Sequence, residues 1–232
     1  MLLSMGNAER TKPVTMIGPK GLARVVNGLR SIAPELPFAI EYIEIQEEEQ
    51  RFSCESFQVE AFKVQHSIPC FGYKISIPRS GKFSVDRARE AGIPVSCWNR
   101  LQHGEAVEYE GSLFTPDMVM GEARRGISVV YCTDTRPIQR IAEKAKDVDL
   151  FICEGMYGDH ESDGKAKEKK HMTMFEACEL GKKANPRKMW LTHYSPAMAH
   201  PEQYIKGAKE IFDKVKLGKD GKSIDLMFDE DK

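Results

Sequence analysis

Short apolar runs punctuated by glycine, proline and charged residues recur along this chain, and between them apolar positions fall at helical spacing. Residues 14–17 read as a strand, Gly18-Pro19 as a turn, and Leu22, Val25, Val26 and Leu29 then repeat as one face of a helix. Residues 38–45 alternate as a strand and lead into the acidic run 44–49, after which Phe57, Val59, Ala61 and Phe62 suggest paired strands ending at His66. FGYKISI is a further strand. The stretch 78–105 mixes Gly, Pro and Arg with a short helix-like DRAREAG, and fits an excursion from a sheet better than part of one. From Ile127 the pattern becomes regular: ISVVYC, VDLFICEG and KMWLTHY are strands, alternating with helical patterns in DTRPIQRIAEKAKD, MTMFEACELGKKAN and PEQYIKGAKEIFDKV, with a charged loop before the second of these. No internal repeat is present, and the class is α/β.

Composition changes this picture little. With 232 residues, 41% hydrophobic and 30% charged, the chain can bury the core of one large domain or two small ones. The 34 Lys and Arg against 35 Asp and Glu exclude a globally basic nucleic-acid binder, so any RNA surface is local. Six dispersed cysteines without a C-x-x-C pair argue against a disulfide framework and for a reducing cytoplasm. The opening MLLSMGNAERTKP lacks the apolar core of a signal peptide, and no apolar run is long enough for a membrane span.

The chemistry sits at strand ends. His66, Asp134 and His193 each follow a short apolar run, which is where layered α/β sheets gather ligands. A carboxylate able to bridge two cations, together with two imidazoles, is the skeleton of a binuclear zinc site. Each residue also has an ordinary reading. Asp134 equally fits a cap on the following helix, and a lone histidine is more often satisfied by a backbone carbonyl.

GPKGL, DTRP followed by DLFICEG, and HMT followed by LTHYSP occur in the order and spacing of ribonuclease Z, the tRNA 3′-processing endonuclease of the metallo-β-lactamase superfamily, which nearly the whole chain resembles. The resemblance implies a metallo-β-lactamase-like αββα sandwich spanning 1–232, with two mixed sheets face to face, helices outside, and a tRNA-binding arm inserted at 78–105. It further implies two Zn2+ ions per complete active site, precursor tRNA as substrate, a homodimer, and removal of the 3′ trailer to leave a 3′-hydroxyl. Position by position, His66 and His193 resemble zinc ligands and Asp134 the bridging aspartate. His171 resembles the catalytic histidine that serves the leaving group. Glu154 would orient His171 or a zinc-bound histidine; its alternative is a strand-end glutamate facing solvent. Thr173 is an alternative helix cap.

The chain departs from the family in lacking an H-x-H-x-D-H cluster, which family members carry just before the segment that begins here with MLLSMGNAERT. A chain truncated in this way is expected to bind zinc weakly, cleave precursor tRNA poorly and expose an apolar sheet edge. IPVSCW also stands where many relatives have a Gly-Pro-rich arm tip. In the arm, Arg79, Lys82, Arg87 and Arg100 interleave with Phe83 and Trp98, a mix that can grip phosphate and stack on a nucleotide, or equally form a solvated hairpin anchored by Trp98. Lys165, Lys167, Lys169 and Lys170 either meet phosphate or are simply solvated. GPKGL lacks the G-x-x-x-x-G-K-[ST] pattern of a nucleotide loop, and the glutamates at 47–49 read as a solvated face. Two other functions stay open: a zinc hydrolase of a small ester, and a non-catalytic tRNA-binding homologue.

Overall fold

A computed structural model describes residues 1–229. The chain forms two compact units: the first is Met1–Ile75 with Ser128–Asp225, the second Ser76–Ile127 with the chain from Leu226. In order, the chain runs through α1 (Leu2–Asn7), β1 (Val14–Pro19), α2 (Leu22–Arg30), β2 (Ile40–Ile45), β3 (Glu49–Ser53), β4 (Gln58–Lys63) and β5 (Phe71–Arg79). Next come α3 (Val85–Glu90), α4 (Val95–Gln102), β6 (Val107–Tyr109), β7 (Ser112–Phe114), α5 (Pro116–Val119) and β8 (Arg124–Cys132). The last part is α6 (Gln139–Lys144), β9 (Leu150–Glu154), α7 (Asp163–Lys169), α8 (Met174–Ala184), β10 (Met189–Thr192), α9 (Ile205–Ile211) and β11 (Val215–Leu217).

β1 and β2 pair in parallel as a small sheet, and seven strands form a mixed sheet in the order β11-β10-β9-β8-β5-β4-β3. β8, β9, β10 and β11 are parallel neighbours, whereas β3 and β4 form an antiparallel hairpin. Strand alternation decides what this sheet buries. Val130 and Cys132 are fully buried, as are their register partners Phe151 and Cys153. This face packs against Ile141 and Ala142 of α6 and Ala177, Cys178 and Ala184 of α8. Burying each larger apolar side chain is worth about 1.5–3 kcal/mol. The opposite face carries the exposed Tyr131 and, beyond Ile152, the largely buried Trp190, over whose ring Lys222 Nζ sits at 4.5 Å.

The outer strands of the large sheet are modest. β3 is short and carries Glu49 and Arg51, and β11 has only three residues. Helix α2 buries no residue and leaves Leu29 75% exposed despite its helical apolar spacing, and Ile43 of β2 and Ile68 are exposed as well. Two expectations change. The charged loop contains a 3-10 turn and α7, and the helix expected from Asp134 starts only at Gln139, so Asp134 does not cap it. The acidic face is also committed: Glu48 pairs with Lys63 and Arg140, and Glu49 with Arg140 and Lys144.

The second unit has its own core of Ala88, Ile93, Cys97, Leu101, Val107 and Val119, with Phe83 and Trp98 packed on it. Trp98 is folded inward: its indole Nε1–H donates to the Ile93 carbonyl at 2.9 Å and its ring lies 5.5 Å from Phe83. The β6–β7 hairpin turns through Glu110 and Gly111, both at positive φ, the two-residue turn that matches strand twist and that glycine makes inexpensive. Among the described residues no helix is long and apolar enough to cross a membrane.

Candidate metal centre

Register assembles the site. Cys132 pairs with Cys153, and Glu154 with Thr192, so the residues after β8, β9 and β10 leave the sheet at one edge. Asp134 follows the first strand by two residues, Glu154 ends the second, and His193 follows the third directly. His66 is drawn in from beyond β4 through Gln65, whose amide donates to Thr135 Oγ1 at 3.1 Å and whose carbonyl accepts from the Arg136 amide at 3.0 Å. His171 arrives between α7 and α8.

Ligating atoms of His66, Asp134 and His171 lie within 4.8 Å of one another. His193 joins them, with Nε2 at 3.3 Å from Asp134 Oδ1 and its ring centroid 5.6 Å from that of His171. The rings of His66 and His171 are 5.0 Å apart. The structure therefore brings together every residue the sequence marked as metal-type, and adds His171 to the donor set.

Hydrogen bonds fix which atoms are available. His66 Nδ1 lies 3.1 Å from the Lys170 carbonyl, which can only accept, so Nδ1–H donates there and Nε2 is the ring atom open to a ligand. Lys170 ends α7 with a left-handed backbone, which turns its carbonyl toward the histidine. His171 Nδ1 is held 2.9 Å from Glu154 Oε2, leaving Nε2 toward the other donors. Glu154 is fully buried and also accepts from the amides of Thr135 at 2.6 Å and Met172 at 3.2 Å. Burial pushes its carboxyl up to about 8, against the lowering effect of those amides. Burial, followed by repulsion from His66, lowers the His171 pKa. Asp134 and His193 both have positive φ, at 57° and 58°. Non-glycine residues occupy this region at a cost, aspartate and histidine more readily than most.

The sequence motif DTRP contains Arg136, to which no role could be assigned from local pattern. Its guanidinium donates to the His171 carbonyl at 2.5 Å and makes a two-pronged pair with Glu176, one bond of which is 3.0 Å. Glu176 is also the far half of a capping box: its carboxylate accepts from the Thr173 amide at 3.0 Å while Thr173 Oγ1 accepts from the Glu176 amide at 3.1 Å. Thr173 is thus the N-cap of α8. Nothing at helical or strand spacing marks Arg136, because its partner lies 40 residues away.

The expected RNA-binding residues lie in the second unit. Arg79 stacks at 4.3 Å over Phe228, Arg87 donates to the carbonyls of Met120 at 2.6 Å and Asp117 at 3.2 Å, and Arg100 pairs with Glu105 at 2.9 Å. Lys82 lines an open cavity with Phe83, Gln102 and Arg124.

A sheet edge that gathers histidines and an aspartate in this way defines a metallo-β-lactamase-fold protein. Residues 115–194 match the family model described as Beta-lactamase superfamily domain. The short form of human tRNase Z superposes with a TM-score of 0.61 at 19% identity, over 98% of this chain and 72% of the human one. A metallo-beta-lactamase fold protein of Bacillus subtilis superposes with a TM-score of 0.56 at 16% identity, over 89% of this chain and 63% of that one. Ribonuclease Z of Agathobacter rectalis is 54% identical over all of this chain and 76% of its own length, and that of Lachnospira eligens is 52% identical over the same shares. The chain belongs to the ribonuclease Z family.

Proposed function

We propose that this chain is a zinc-dependent endoribonuclease that removes the 3′ trailer from tRNA precursors. The observation that supports it most is the convergence of His66, Asp134 and His193 on the His171–Glu154 pair. The donor set fits a divalent cation: the His66 imidazole, whose Nδ1 is already engaged by a carbonyl, the His193 imidazole beside Asp134, and the Asp134 carboxylate, with the His171 ring next to them. His66, Asp134 and His193 would hold zinc, Asp134 as the carboxylate ligand, with two ions in the complete site. Bound zinc would lower the pKa of a water to about 7 and offset charge building on the phosphate.

The chain's own residues supply the rest. Glu154 grips Nδ1 of His171, so the ring presents Nε2 to the scissile phosphate and gives up its proton there to the departing 3′-oxygen, leaving a 3′-hydroxyl on the tRNA. Burial lowers the pKa of that imidazole, making its protonated form a readier donor. Arg136 fixes the backbone of His171 and so acts through it. In the second unit Arg79, Lys82, Arg87 and Arg100 would contact the tRNA backbone, within an arm at 78–105. A homodimer belongs to the same reading and rests on the family alone, and a cytoplasmic setting rests on the dispersed cysteines.

The test is the product formed when the chain is incubated at high concentration with precursor tRNA and zinc. A slow cut just 3′ of the discriminator nucleotide, leaving a 3′-hydroxyl, is expected. A cut elsewhere, a 3′-phosphate, or preference for a small ester would overturn the reading.

A further inference from the structure

Beside the histidines the first unit holds an open cavity of about 330 Å³ to which no role has been given. Its walls are Tyr157 and Gly158 after β9, Lys165 of α7, and Ser195, His200 and Tyr204 after β10. It shares its backbone with the metal centre. Ser195 follows His193 by two residues, a span of at most about 7 Å between their Cα atoms. The Ser195 amide donates to the Met156 carbonyl at 2.9 Å, and the Tyr157 amide to the Met172 carbonyl, next to His171, at 3.4 Å.

The cavity is shaped as well as placed. A Cβ on Gly158 would lie 2.3 Å from the Tyr204 ring, so that ring sits directly on glycine backbone and forms one wall. Lys165 Nζ sits over the Tyr157 ring, 5.2 Å from its centre, so a cation and an aromatic ring stand together in the wall. Ser195, Ser162 and Gln203 add hydroxyl and amide groups, and no carboxylate is among the described lining residues. A cation for phosphate, a ring for a base, neutral hydrogen-bonding groups and no repelling charge make the recognition set for a nucleotide of single-stranded RNA.

We propose that this cavity is a subsite for a nucleotide flanking the scissile phosphate, with its base against Tyr157 and its phosphate on Lys165. The subsite rests on the reading of the chain as a tRNA-processing nuclease, and the nucleotide can belong to either side of the cut. α7 is what delivers Lys165, so the lysine-rich segment is used here as a helix with one directed cation and not as a diffuse basic loop.

The experiment measures binding, not turnover. Affinity of the chain is measured by fluorescence anisotropy for a mature tRNA ending at the discriminator and for a precursor with a short 3′ trailer and a non-cleavable linkage at the processing site. Lys165→Gln, an exposed change, is expected to lower affinity several-fold and to reduce the slope of log affinity against log salt by about 1. Tyr157→Leu is expected to lower it roughly tenfold, and Tyr157→Phe, which keeps the ring, to leave it unchanged. Losses confined to the precursor assign the subsite to the trailer, and equal losses for both RNAs assign it to the tRNA end. Wild-type affinity in both Lys165→Gln and Tyr157→Leu overturns the subsite and leaves the nuclease reading standing. Failure of the wild-type chain to bind either RNA overturns the nuclease reading itself, and the subsite with it.

Discussion

His193 shows how a single residue is held against its own preference. Its φ of 58° places an L side chain in the left-handed region, at a cost of roughly 1–2 kcal/mol. His193→Gly is therefore expected to be about 1 kcal/mol more stable than His193→Ala in metal-free protein, although both lose the imidazole. Urea unfolding of the two variants decides this, and equal stabilities would mean that the backbone relaxes on its own. Glu154 is the other residue set against its preference. Its folded pKa of about 8 lies above the 4.5 of the free side chain, so the folded state holds the proton more tightly. The resulting stability is fully present below pH 4.5 and is lost as pH rises toward about 8. In metal-free protein, wild type should lose stability relative to Glu154→Gln across this window, at a limit of about 1.4 kcal/mol per pH unit. Parallel pH curves for the two proteins would show that Glu154 does not carry the buried proton.

At the scale of elements, the site depends on how loops are tied together, and Arg136 is the principal tie. Removing it leaves the Glu176 carboxylate, whose side chain is 15% exposed, without its cation. Arg136→Met should cost about 3–5 kcal/mol. Adding Glu176→Gln should cost much less than its own single effect, so a double-mutant cycle reports strong coupling, whereas additive costs would sink the assignment. The strands and Asp134, His66 and His193 were legible because apolar runs ending in a polar residue are a local signal. Glu154 and His171 became legible only through likeness to a family, since the 2.9 Å bond between them joins segments that no local pattern relates. α7 was hidden by its own lysines, which mask the burial of Ala166, and with it went the carbonyl of Lys170 that orients His66. β11, α4 and the β6–β7 hairpin were too short, or too interrupted by proline and glycine, to leave a period. Trp98 had two readings, and its inward hydrogen bond decides for the anchor.

For the whole molecule, the candidate centre joins parts of the chain from His66 to His193, so a bound cation acts as a cross-link on the folded state alone. Zinc at about 100 times its Kd should add roughly 2.7 kcal/mol of stability, reversed by chelation and reduced in His66→Ala. Thermal melts with and without the metal measure this, and an unmoved midpoint would argue that the cluster does not ligate. The two tryptophans of the chain are divided between the units: Trp190 lies under Lys222 in the first, and Trp98 bonds to Ile93 in the second. Each unit thus carries its own intrinsic fluorophore. Trp98→Phe and Trp190→Phe would yield two single-emitter proteins, in which quenching by added RNA or cation could be followed at one unit while the other stays dark.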